Sequence, residues 1–273
     1  MSRAVALLTL WSAVVPALSF ADDYWDLATI VQCVDDASTT CNQLAPGVTQ
    51  VHDLEGTPLA PDRDWMVVES KARRSYEVDV RGASVVFGLD PVSCPSCASV
   101  ARVDGTGLVL TQGISVDGAH PFVDTSVHSV VRWVAGATNQ RDWILVGGDT
   151  ITSFGPNDRY EVVMRDTTLA VPRWNNSASQ STVFLVSNQS PAAVSGSIFF
   201  YNGTGTLLHT QPVSVPVFGL QVFATAGIGA LAGQSGSATV AHDGGYGALA
   251  GKAVALEPAT GFTFDTAMTS VPY

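Results

Sequence analysis

Helix signals are almost missing from this 273-residue chain. Only Tyr24 to Val34 spaces its apolar residues as an amphipathic helix does, with Asp22 or Asp23 as the cap. That scarcity excludes folds that alternate strand and helix. Positive charge is short as well, 13 Lys and Arg against 24 Asp and Glu, a formal net charge of −11. Phosphate backbones need the opposite sign, so nucleic acid is excluded as a partner. Histidines are few, and His52, His120, His128, His209 and His242 make no His-x-His or His-Glu-x-x-His spacing, which argues against zinc. No nucleophile elbow is present: Gly233-Gln234-Ser235-Gly236-Ser237 lacks the last glycine and leads into a strand. His242-Asp243, ahead of Gly244-Gly245, reads as a turn pair rather than two-thirds of a triad. No catalytic residue is assigned.

Long hydrophobic runs are confined to the N-terminus. Arg3, the apolar stretch Ala4 to Val15, the break at Pro16 and the small residues Ser19 and Ala21 describe a signal peptide cleaved after Ala21. Phe218 to Gly233 is the nearest later candidate, but Gln221 and several glycines interrupt it, so the mature chain has no membrane span. The expected location is secreted, cell-surface or periplasmic. Four cysteines in an exported chain predict two disulfides, and the local pairs Cys33–Cys41 and Cys94–Cys97 are favoured among the three pairings. Cys94-Pro95-Ser96-Cys97 matches redox spacing, yet no helix follows for it to open, so it reads as a turn staple.

What is present is alternation. Trp65, Val67 and Glu69 face one way and Met66 and Val68 the other; Tyr76, Val78 and Val80 alternate with Glu77 and Asp79. Short strands recur behind turns such as Asp104-Gly105 and Asn202-Gly203, the pace of an all-β sandwich or barrel. Charge is shared unequally. Residues 22–166 hold 21 acidic and 10 basic groups, whereas 167–273 hold Asp243, Glu257 and Asp265 against Arg173 and Lys252. The expectation is a lead-in over 22–54, one antiparallel sandwich over 55–166 and a second over 167–273. Arg63-Asp64-Trp65 with Tyr76-Glu77-Val78 is echoed by Arg141-Asp142-Trp143 with Tyr160-Glu161-Val162, which predicts paired hairpins burying Trp and Tyr in one core. Gly229-Ala230-Leu231-Ala232-Gly233 returns as residues 247–251, predicting two loops at one end of the second sandwich.

Asp64-Trp65, Tyr76-Glu77-Val78, Asp104-Gly105-Thr106-Gly107, Trp133 and Tyr160-Glu161-Val162 occur in an order that resembles the bacterial pre-peptidase C-terminal (PPC) domain, over roughly residues 55–166. The chain departs from that family at Arg141-Asp142-Trp143, where an aromatic pair is usual, and carries no peptidase. The resemblance implies a jelly-roll-like sandwich that binds calcium or an extracellular polymer. Residues 167–273 look like the Ig-like or fibronectin-like sandwiches of bacterial surface proteins, and the tail Gly247 to Pro258 is similar to secreted bacterial proteins without assigned activity.

Candidate sites are few. Hard cations want several oxygens, and Asp62-x-Asp64 is the first choice for calcium, with Asp104-x-x-Gly107 behind it, though neither is an EF-hand loop. No other cofactor is expected. Trp133, Trp174 and Tyr246 are candidate platforms for a sugar ring, with core packing as their competing role. The leading reading is a non-catalytic protein that binds an extracellular polysaccharide or protein. A self-associating subunit of a surface fibre or layer is the alternative, motivated by edge strands with little charge to block pairing. An extracellular hydrolase, either cryptic in this chain or served by it as an accessory module, is the third.

Overall fold

The computed structural model describes residues 38–40, 42–54, 62–82, 98–115, 128–148, 159–177 and 179–271. The signal peptide, the helix expected at Tyr24 to Val34 and all four cysteines lie outside the described residues. Among the described residues there is no α-helix, and none long and apolar enough to cross a membrane. The chain is an all-β protein of four antiparallel sheets.

Among the described residues nine strands build the first pair of sheets: β1 Thr49–Asp53, β2 Arg63–Ser70, β3 Ser75–Gly82, β4 Ala98–Val103, β5 Val109–Gln112, β6 Ile114–Ser115, β7 His128–Val134, β8 Gln140–Gly148 and β9 Arg159–Asp166. One sheet runs β1-β9-β3-β7-β6 and the other β2-β8-β4-β5. Chain neighbours β1 and β2, β3 and β4, and β8 and β9 lie in opposite sheets, the jelly-roll arrangement. Between the sheets pack Met66, Val68, Tyr76, Val78, Val80, Ile144, Val146, Tyr160, Val162 and Met164. The sandwich begins before residue 55. Asn42 to Leu44 exchange backbone hydrogen bonds with Val67 in one sheet, and Gly47 then bonds Met164 in the other, so this segment straps the open side with Leu44 in the core.

The echoed tryptophans go elsewhere. Trp65 and Trp143 stand on the opposite face of β2 and β8, clustered with Ala101, Val103 and Leu145. Their rings lie under the β4–β5 turn, and a Cβ on Gly105 would come within 3.1 Å of Trp143. Of the echoed aromatic residues, Tyr76 and Tyr160 are the ones that enter the shared core.

The second pair of sheets is built from β10 Leu169–Asn176, β11 Ser181–Asn188, β12 Val194–Asn202, β13 Leu207–Val215, β14 Leu220–Ala224, β15 Gln234–His242, β16 Leu249–Glu257, β17 Phe262–Ala267 and β18 Thr269–Ser270. The orders are β13-β12-β15-β10-β18 and β14-β11-β16-β17. Pairing of β11 with β14 and of β12 with β15 is the centre of an immunoglobulin-type sandwich. The flanking strands trade places, because β10 lies beside β15 and β16 beside β11. Trp174, Phe184, Phe200, Ile198 and Val240 fill the core, with Trp174 and Phe184 each edge-on to Phe200.

The two Gly-Ala-Leu-Ala-Gly repeats sit at opposite ends of this sandwich, not at one. Gly229–Leu231 forms a 3-10 turn before β15, and Gly233 bonds Asn176 at the far end of β10. Residues 247 and 248 lead into β16 from the end that meets the first sandwich, where the preceding loop touches Arg132 and Glu77. Strand direction reverses between β15 and β16, so the same words serve opposite ends.

Candidate functional site at the junction of the sandwiches

Two residues, Thr167 and Thr168, join β9 to β10. Their polar groups are consumed locally. Thr167 N–H donates to Ser75 O at 2.9 Å, Thr167 Oγ1–H to Ser75 Oγ at 2.8 Å, and Ser75 N–H to Thr168 Oγ1 at 2.9 Å. Asp166 closes the joint, accepting from Thr168 N–H at 3.0 Å and from Arg74 Nη1–H at 2.8 Å. His242, buried at the end of β15, donates from Nε2 to Thr167 O at 3.0 Å. Burial lowers its pKa, outweighing the Thr167 carbonyl and the nearby Asp243 charge, and so favours the neutral ring. The joint is two residues long and its donors are satisfied by the residues around it.

Beside the joint, the outer face of β3 carries what alternation leaves over when Tyr76, Val78 and Val80 turn inward. Glu77 stands between Arg132 on β7 and Arg165 on β9, its cross-strand partners. Arg132 Nε–H reaches Glu77 Oε2 at 2.7 Å, and Arg165 Nη1 lies 3.6 Å from Oε1. Asp79 accepts from Arg165 Nη1–H at 2.8 Å and Arg81 Nη2–H at 2.9 Å, and it contacts His128 Nε2. Both carboxylates are buried, Asp79 to 2 % exposure. Burial alone would raise the Asp79 pKa, but the bonds from Arg165 and Arg81 and the His128 charge carry it below the ordinary carboxylate value.

The second sandwich sets its Asp243 to Ala248 loop on this lattice. Tyr246 N–H points at Glu77 Oε2, 3.3 Å away, and the Arg165 guanidinium lies 5.6 Å from the Tyr246 ring centroid. Gly245 lies close against both, and a Cβ there would fall 2.7 Å from Arg132 Nη2 and 3.0 Å from Glu77 Oε2, so the ends of those side chains would have to shift to admit one. Tyr246 keeps 52 % of its surface exposed. Beside it opens a groove of about 550 Å³ lined by Arg132, Gln189, Ser190, Pro191, Asp243 and Tyr246 among others. An amphipathic ring, a guanidinium, a carboxylate and an amide around one groove can hold a polyhydroxylated chain by stacking and hydrogen bonding.

The other sequence candidates are placed elsewhere. Trp133 is a core residue, stacked on Tyr76 at 5.3 Å and donating Nε1–H to Ser70 Oγ at 3.0 Å. Burial pushes the Tyr76 hydroxyl up to about 12. Trp174 is fully buried and donates to Ser237 O at 2.8 Å. Neither indole presents a face to a ligand; of the three proposed platforms only Tyr246 does. Asp64 points inward, where Tyr160 O–H donates to it, and Asp62 caps the Arg63 amide at 2.9 Å. Asp104 Oδ1 accepts three bonds from its own turn and so shapes that loop. Among the described residues no group of three or more His, Cys, Asp or Glu is gathered for a metal. Sequence reading missed Arg132, Arg165, Glu77 and Gln189. Their one signal was the parity of Glu77 and Asp79, polar on a strand whose other face is apolar.

No family model matches the chain, and no curated protein does. Among solved structures, a "putative beta-galactosidase" from Bacteroides fragilis is 12 % identical, over 85 % of this chain and 34 % of that one, with a TM-score of 0.19. A likeness at that level carries no argument about fold or function.

Proposed function

We propose that this is an exported, non-catalytic binding protein that holds a strand of extracellular polysaccharide in the groove between its two sandwiches. The observation that carries this reading is Tyr246, a half-exposed ring braced by Arg165 at the lip of an open groove with hydrogen-bonding walls. A rigid aromatic offers contact area at small entropic cost, and its support by a guanidinium fixes its tilt before any ligand arrives. The net charge of −11 favours neutral or cationic polymers over polyanions. On this reading the first sandwich is a PPC-like module and the second completes its binding edge.

The test is a glycan array probed with the mature protein and with Tyr246→Ala. Loss of one truncated aromatic anchor weakens the retained glycans about tenfold or more. Equal binding by the two proteins defeats the proposal.

A specific observation favours a second reading, a self-associating subunit. The outer face of β14-β11-β16-β17 is apolar: Leu220 and Val222 are more than half exposed and continue into Val183, Leu185 and Val254. Only the Lys252–Asp265 pair, at 2.7 Å, marks that face with charge.

A further inference from the structure

The two sandwiches contain one loop twice. Asp104-Gly105-Thr106-Gly107-Leu108 closes the β4–β5 hairpin, and Asn202-Gly203-Thr204-Gly205-Thr206 closes β12–β13. In the first, Asp104 Oδ1 accepts from Thr106 N–H at 2.8 Å, Thr106 Oγ1–H at 2.6 Å and Leu108 N–H at 3.0 Å. In the second, Asn202 Oδ1 accepts from Thr204 N–H at 3.0 Å, Thr204 Oγ1–H at 2.8 Å and Thr206 N–H at 2.8 Å. Gly107 and Gly205 both donate to the backbone carbonyl three residues earlier at 3.0 Å, and both hold positive φ, +86° and +81°. At the residue that accepts these bonds the loops differ: a carboxylate stands where the other has a carboxamide.

Three donors aimed at one oxygen suit a carboxylate better than an amide. Bonds to a charged acceptor are shorter and about twice as strong as neutral ones. The Asp104 pKa is correspondingly lowered, chiefly by the Thr106 hydroxyl and then by the Thr106 and Leu108 amides. None of the three bonds in the second loop uses Asn202 Nδ2. The amide nitrogen is therefore dispensable to the geometry.

We propose that Asn202 is a self-modification site, where deamidation to aspartate converts the second loop into the chemical form of the first. Asn202 precedes Gly203, which has no side chain to shield its nitrogen and open space where a Cβ would be. The Gly203 backbone nitrogen loses its proton and forms a bond to Asn202 Cγ. The Cγ–Nδ2 bond then breaks and ammonia departs with that proton, leaving a five-membered imide. Water attacks Cγ, the new C–N bond breaks, and the nitrogen recovers its proton, giving aspartate with the backbone restored. In the tetrahedral adduct the charge develops on Oδ1, where the Thr204 and Thr206 donors already point, as in an oxyanion hole.

The product matters to its surroundings. Asn202 lines a cleft of about 430 Å³ with Arg173, Asn175 and Ser235, in a sandwich with three acidic and two basic residues. One new carboxylate removes the slight cationic character that Arg173 gives this cleft. The inference does not rest on polysaccharide binding at the other end of the sandwich.

The test is incubation of the folded protein in mildly alkaline buffer, with tandem mass spectrometry reading residue 202. A gain of one mass unit at Asn202, abolished in Gly203→Ala, is the expected result. Survival of Asn202 in the folded protein, under conditions where the urea-unfolded chain converts, would overturn it. A second measurement uses Asn202→Asp directly. Its melting temperature should exceed that of the unconverted protein at neutral pH, and the excess should vanish as pH falls through the carboxylate pKa; a lower melting temperature at neutral pH contradicts the proposal.

Discussion

Asp79 shows what one residue contributes to this molecule. It is a buried anion on the outside of a sheet, held there by Arg165, Arg81 and His128. Its folded pKa lies below the unfolded one, so the stability it contributes is complete above the unfolded pKa, near 3.8, and is lost as pH falls through the lower folded value. Asp79→Asn keeps the shape and removes the charge, leaving Arg165 and Arg81 facing a neutral amide. Breaking one partner of a buried pair costs about 3 kcal/mol. Urea titrations at neutral and at strongly acidic pH should give that loss only at neutral pH. A loss of equal size in acid would mean that the amide disturbs packing rather than charge.

At the scale of strands and sheets, alternation in the sequence was a good guide to where strands run and which residues share a face. It carries no label for which face is the inner one. Trp65 and Met66 are equally apolar, yet Met66 enters the shared core and Trp65 lies on the far face beneath Gly107. Both faces of β2 are covered, so period-two reasoning had nothing to separate them. The same ambiguity hid the apolar outer face of β14-β11-β16-β17, because alternation does not say which side of the sheet Leu220 and Val222 take. Exposed apolar patches of this kind mark interaction sites. Equilibrium sedimentation should find concentration-dependent association of the wild type and a monomer for Leu220→Lys with Val222→Glu. A wild type that stays monomeric at the highest concentration removes the self-association reading.

The whole molecule depends on contacts between residues far apart in the chain. Glu77 and Tyr246 are separated by 169 positions, and no local pattern announces that they meet. Strand order was equally illegible: the exchange of β10 and β16 follows from long-range pairing, which leaves no periodic trace. What could be read was the change of composition around Asp166, because an acidic surface and an almost uncharged one need different residues. Beside the joint between them, Gly245 packs against the side-chain ends of Arg132 and Glu77. Gly245→Val forces Arg132 and Glu77 apart, and calorimetry should then resolve two unfolding transitions where the wild type shows one. A single unchanged transition would show that the joint does not couple the sandwiches.

The central claim is that ligand sits in the groove beside Tyr246. The most direct measurement is hydrogen exchange of the mature protein with and without an array-selected glycan. Slowed exchange confined to residues 189–193 and 243–248 and to β7 around Arg132 is the predicted result. Protection that leaves those loops unchanged and appears instead on the outer face of β14-β11-β16-β17 would contradict it.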